Sequence, residues 1–119
     1  GINPAPELPH YSATKTMQIS LSRNLAERTK GTNVTVNSVL PGPCRTEGVA
    51  ALIAGLYPGV PTAEAEVRFV KDVRPTSLIQ RLTDPREVAD IVAFVASERA
   101  AIINGSAMRI DGGLIRTVF

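Results

Sequence analysis

The sequence predicts an α/β fold with parallel βαβ wiring. Two short runs rich in apolar and β-branched residues, 34–40 and 107–110, read as strands. Amphipathic helical patterns precede and separate them. Strands joined through helices argue for a parallel sheet. Two strands are too few for an open sheet covered on both faces. The sheet is therefore expected to be incomplete within these 119 residues.

The elements follow in order. Residues 1–10 carry three prolines, lack an initiator Met, and read as a loop inside a larger protein. The expectation is a piece of a longer polypeptide, or a chain that pairs with others to rebuild a sheet. Residues 12–29 read as a helix: Met17, Leu21 and Leu25 recur every four residues, and Gly31 is a stop signal. The strand at 34–40 ends abruptly at Pro41-Gly42-Pro43. An Ala-rich helical piece over about 48–56 is broken by Tyr57-Pro58-Gly59-Val60-Pro61. A second helix is expected from Ala63 to Val73 with Thr62 as N-cap. The next helix has the clearest start: Asp84 as N-cap, Pro85 in the first helical position, and Glu87 at capping-box spacing. Val88, Ile91, Val92 and Val95 should form one buried stripe on it. Asn104-Gly105 is a turn before the last strand, and Asp111-Gly112-Gly113 a tight turn after it.

Composition excludes several function classes. Hydrophobic residues make up 44% and charged residues 20%, as in ordinary globular domains. Net charge is only +2, and the arginines are scattered from Arg23 to Arg116 without a basic stripe, so no nucleic-acid partner is expected. No apolar run approaches about 18 residues, so no membrane-spanning helix is expected. Cys44 is the single cysteine, which rules out an internal disulfide and fits a reducing cytoplasm. One His and one Cys cannot make a conventional zinc site, so no metal is expected.

Tyr11 and Lys15 carry the most chemistry. On a helix that starts at or before Tyr11, the i, i+4 spacing puts both side chains on one face. A phenol is a poor acid/base at neutral pH, and a neighbouring ammonium favours the phenolate. A tyrosine tuned this way can exchange a proton with a substrate oxygen.

Four pieces then line up: Tyr11-Ser12-Ala13-Thr14-Lys15; Val36 through Pro41-Gly42-Pro43 to Thr46; Asp84 to Ala89; and Ile103 to Ser106 with Arg109 to Gly113. In order and approximate spacing the chain resembles the C-terminal half of a short-chain dehydrogenase/reductase, from about Asn3 to Leu114. The resemblance implies a Rossmann-type, doubly wound parallel sheet, with residues 1–119 as the C-terminal half of one NAD(P)-binding domain. It implies NAD or NADP as cofactor and a small-molecule alcohol or carbonyl as substrate. Tyr11 resembles the catalytic acid/base, and Lys15 the lysine that assists it and bonds the nicotinamide ribose. Pro41, Gly42 and Pro43 match the turn against the nicotinamide, and Thr46 the hydroxyl residue near the carboxamide and pyrophosphate. Residues 47–80 correspond to the segment that covers the substrate as a lid, here apolar enough to suggest an apolar pocket. A homodimer or homotetramer is implied as well. Cys44, Arg45, His10 and Asn37 are read as packing, surface or structural residues.

The sequence contains no Gly-x-x-x-Gly-x-Gly phosphate loop; Gly55 and Gly59 have its spacing, but position 61 is Pro. Ser12 is not the family's catalytic serine, which is expected about a dozen residues before the tyrosine. The alternative reading is therefore a non-catalytic fragment, or a binding module that retains the fold.

Overall fold

The computed structural model describes residues 8–118. The elements are α1 (Pro9–Glu27), β1 (Ser38–Pro41), α2 (Glu47–Leu56), α3 (Thr62–Val73), α4 (Pro85–Val95), a 3₁₀ turn (Glu98–Ala100) and β2 (Ala107–Ile110). β1 and β2 form a two-stranded sheet. Gly105 N–H donates to the Val36 carbonyl, Ser38 N–H to Ser106, and Gly42 N–H to Ile110. The paired numbers rise together, so the strands are parallel, as expected.

The chain divides into two compact units. One takes the residues up to Leu40 with Val92–Met108; the other takes Pro41–Ile91 with the residues from Arg109 onward.

In the first unit, α1 begins at Pro9 rather than at residue 12. The rest of the expected opening loop, residues 1–7, lies outside the described residues. Proline suits this start, because a first-turn N–H has no intrahelical acceptor to lose. The helix ends in a turn where Thr29 N–H and Oγ1 both donate to the Ala26 carbonyl. Gly31 then leaves with φ +78°, the left-handed conformation that glycine adopts without a Cβ clash.

The strand expected at 34–40 is shorter at its start and includes Pro41. Two asparagines account for the difference. Val36 N–H donates to Asn104 Oδ1, and Ser106 N–H donates to Asn37 Oδ1. Asn37 Nδ2 also donates to the Ile103 carbonyl. Side-chain amides thus take bonds that a regular ladder would make, so Asn37 is structural, as expected.

The second unit holds the best-packed core. Ile53, Ala65, Phe69, Val70 and Leu82 are buried together, with Val49, Tyr57 and Val60 against them. Removing a side chain such as Phe69 from water is worth roughly 2–3 kcal/mol. The interrupted helical signals of 47–80 therefore make a helical hairpin with its own core. Thr46 caps α2, its Oγ1 accepting from Val49 N–H. At α3 the expected Thr62 cap is replaced: the helix starts at Thr62 itself, and Pro61 stands before it without a side-chain cap.

The start of α4 follows the sequence closely. Asp84 Oδ1 accepts from Arg86 N–H at 2.9 Å, and Glu87 Oε2 accepts from Asp84 N–H at 2.8 Å. The buried stripe does not hold. No residue of α4 is buried; Ile91, Val92 and Phe94 are exposed, Val92 by 47%. Met17, Leu21 and Leu25 of α1 are exposed too, Met17 by 70%. Each stripe has the right period, but much of it stays exposed among the described residues; Val88 and Val95 are half-buried.

Candidate active site

Tyr11 and Lys15 stand one turn apart on α1, in the first unit. Lys15 Nζ lies over the Tyr11 ring, 5.4 Å from its centroid, within cation–π range. The same nitrogen donates to Gln18 Oε1 at 3.2 Å. Two of its three N–H donors are left. Tyr11 is 53% exposed, and its hydroxyl makes no hydrogen bond to a described residue. An exposed phenol and a half-buried ammonium thus share one helix face. His10 is exposed just before Tyr11, and its carbonyl accepts from Thr14 Oγ1.

The chain's other tyrosine is differently placed. Tyr57 donates its hydroxyl to Asp72 Oδ2 at 3.1 Å. Burial first, and then that bond, push its pKa up. Tyr57 is therefore poorly placed for acid/base work near neutrality.

Pro41, Gly42, Pro43 and Thr46 lie together in the second unit, at the carboxyl end of β1. Open parallel sheets bind ligands outside the carboxyl ends of their strands. The Pro43 carbonyl accepts from both Thr83 N–H and Thr83 Oγ1, and Cys44 bridges Thr83 in parallel. These contacts fix the turn. A Cβ on Gly42 would sit 2.8 Å from the Asp111 carbonyl oxygen and 2.9 Å from its Cα. The glycine is thus required by the close approach of the Asp111 backbone. Thr46 Oγ1 accepts from Val49 N–H, and its own O–H remains a donor.

Arg45 is paired within its own unit. Its guanidinium forks onto Glu66 of α3, with Nε–Oε1 at 3.0 Å and Nη2–Oε2 at 2.8 Å. That bond holds the Glu66 carboxyl below its usual pKa. Twenty-one residues separate the partners, so no local pattern in the sequence could have shown the pair. Cys44 is a free, half-buried thiol. Asp111 locks the turn after β2, Oδ1 accepting from Gly113 N–H and Oδ2 from Ile115 N–H. No group of His, Cys, Asp or Glu among the described residues could hold a metal. No described helix is long and apolar enough to cross a membrane.

Parallel strands linked through helices place the chain in the Rossmann class of α/β proteins, and known proteins agree. Residues 2–115 match the family described as enoyl-(acyl carrier protein) reductase. The chain is 57% identical to the uncharacterized oxidoreductase YvaG of Bacillus subtilis, over 99% of this chain and 46% of that protein. It is 51% identical to YvrD, a second uncharacterized oxidoreductase of that organism, with the same coverage. Among solved structures, L-sorbose reductase from Gluconobacter frateurii, complexed with NADPH and L-sorbose, superposes with a TM-score of 0.83 at 28% identity. That match covers 92% of this chain and 41% of the reductase. The chain belongs to the short-chain dehydrogenase/reductase family. It spans about half the length of the curated relatives it matches.

Proposed function

We propose that the whole protein is an NAD(P)-dependent oxidoreductase that interconverts a small-molecule alcohol and its carbonyl. The observation that carries this reading is the Tyr11–Lys15 pair, an exposed phenol and an ammonium on one helix face. The relatives named as oxidoreductases and the NADPH-bound reductase support it.

When bound, the nicotinamide supplies or accepts the hydride. In the reductive direction Tyr11 gives its hydroxyl proton to the substrate oxygen; in the oxidative direction the Tyr11 oxygen takes that proton back. Lys15 keeps a positive charge beside the ring as the proton leaves, and its spare N–H groups bond the cofactor's ribose. Pro41, Gly42 and Pro43 present a fixed wall to the nicotinamide, and the Thr46 hydroxyl donates nearby. Residues 47–80 cover the substrate, with α2 and α3 moving as a packed hairpin on their common core.

The test is NADPH and NADH oxidation by the whole protein against a panel of aldehydes and ketones, apolar ones included. Carbonyl-dependent oxidation of one cofactor supports the proposal. Tight cofactor binding without turnover on any carbonyl or alcohol would favour a binding module instead.

A further inference from the structure

A cavity of about 680 Å³ lies in the second unit, between the 75–80 segment and the residues that follow β2. Arg109 and Arg116 both line it. Neither guanidinium forms an ion pair with a described carboxylate. Arg109, half-buried, donates only to neutral groups: Nη1 to Thr117 Oγ1 and Nη2 to the Thr117 carbonyl, each at 2.9 Å. Three of its five N–H donors remain. Arg116 is exposed and makes no hydrogen bond to a described residue. The nearest acid in sequence, Asp111, has its two oxygens turned to Gly113 and Ile115 N–H.

Ser77 adds an independent observation. It lines the cavity and is only 5% exposed, yet its hydroxyl has no partner among the described residues. No fully enclosed side-chain oxygen or nitrogen among those residues lacks a partner. The Ser77 oxygen therefore keeps an open face, and the cavity is the space it borders. Beside it, Gln80 is held at φ +51°, the one non-glycine residue described with positive φ. Its side chain is tied back to the Ser77 carbonyl. Strained backbone of this kind persists where the surroundings over-determine it.

We infer that this cavity binds a small oxyanion, the phosphate or carboxylate group of a metabolite-sized ligand. Two guanidinium groups without an ion pair among the described residues supply charge and forked N–H donors, the geometry that matches such anions. The Ser77 hydroxyl supplies a third donor. The site lies wholly in the second unit and does not use Tyr11 or Lys15.

Calorimetric titration of the whole protein, at fixed ionic strength and with excess NADPH present, tests this. Inorganic phosphate and citrate are the two probes. Saturable binding of phosphate, citrate or both is expected, and the probe that binds names the group. Arg116→Ala should weaken it about tenfold, the loss of one charge-assisted contact. Arg116→Lys should recover part, and Ser77→Ala should weaken it several-fold. Arg116 is exposed, so its variants test binding without disturbing the packing; unchanged melting temperature confirms that. No saturation by either probe, or equal affinity in wild type and Arg116→Ala, overturns the proposal, because any binding would then lie elsewhere.

Discussion

At the scale of single residues, Glu87 shows how one side chain can serve two purposes. Its carboxylate forks onto Arg81, with Oε1–Nη2 at 2.6 Å and Oε2–Nη1 at 2.8 Å, and Oε2 also accepts from Asp84 N–H. The Arg81 bonds first, and the Asp84 N–H second, lower its pKa to about 2. A folded-state pKa below the unfolded one contributes stability above the unfolded value, near 4.5, and loses it as pH falls toward about 2. The pair is exposed, so the contribution is small. Glu87→Gln should lower the melting temperature slightly at pH 7 and flatten its dependence between about pH 4.5 and 2. Parallel melting profiles of the two proteins across that window would contradict this assignment. The Asp84–Glu87 box was legible because its partners are three residues apart. The Asn37 and Asn104 bonds and the Arg45–Glu66 fork were not, because they join residues that only the fold brings together. For the candidate site, Tyr11 and Lys15 stood out by helical spacing, whereas the reason for Gly42, the Asp111 backbone, became visible only in three dimensions.

At the scale of elements, the α2–α3 hairpin is the best-packed part of the chain. The sequence marked both helices but not their mutual packing, since helical period says nothing of what lies opposite. Phe69 is 2% exposed at the centre of that core. Phe69→Ala should destabilise the unit by roughly 3–5 kcal/mol through lost burial and the cavity left behind. Urea unfolding followed by circular dichroism would measure it; a loss under about 1 kcal/mol would mean that the hairpin does not depend on this core. If the hairpin covers the substrate as one packed body, the same variant should also raise KM. The burial expected for the α4 stripe failed for a related reason, and the α1 stripe is exposed as well. Their periods were read correctly, but period fixes which residues share a face, not whether a partner surface covers it.

At the scale of the whole molecule, the exposed stripes bear on assembly. Met17, Leu21 and Leu25 on α1, and Ile91, Val92 and Phe94 on α4, are all open to solvent among the described residues. Contiguous apolar surface of this kind is usually covered in a working protein. We expect the whole protein to be a homodimer or homotetramer, and Leu21→Glu to weaken that assembly if α1 lies in its interface. Light scattering at micromolar concentration checks both; a wild-type monomer would contradict the expectation. The parallel wiring and the family were readable from order and spacing, because motif order survives where packing does not. The division into two compact units was not, since the breaks fall within β1, α4 and β2 rather than in any linker.

The central claim is that Tyr11 is the proton-transferring group. Steady-state turnover of Tyr11→Phe in the whole protein, with NADPH affinity measured alongside, tests it most directly. The substitution removes one hydroxyl and leaves the ring under Lys15. The account predicts that kcat falls by about 10²–10⁴, the usual worth of a positioned acid/base, while NADPH still binds. Turnover within a few-fold of wild type would contradict it.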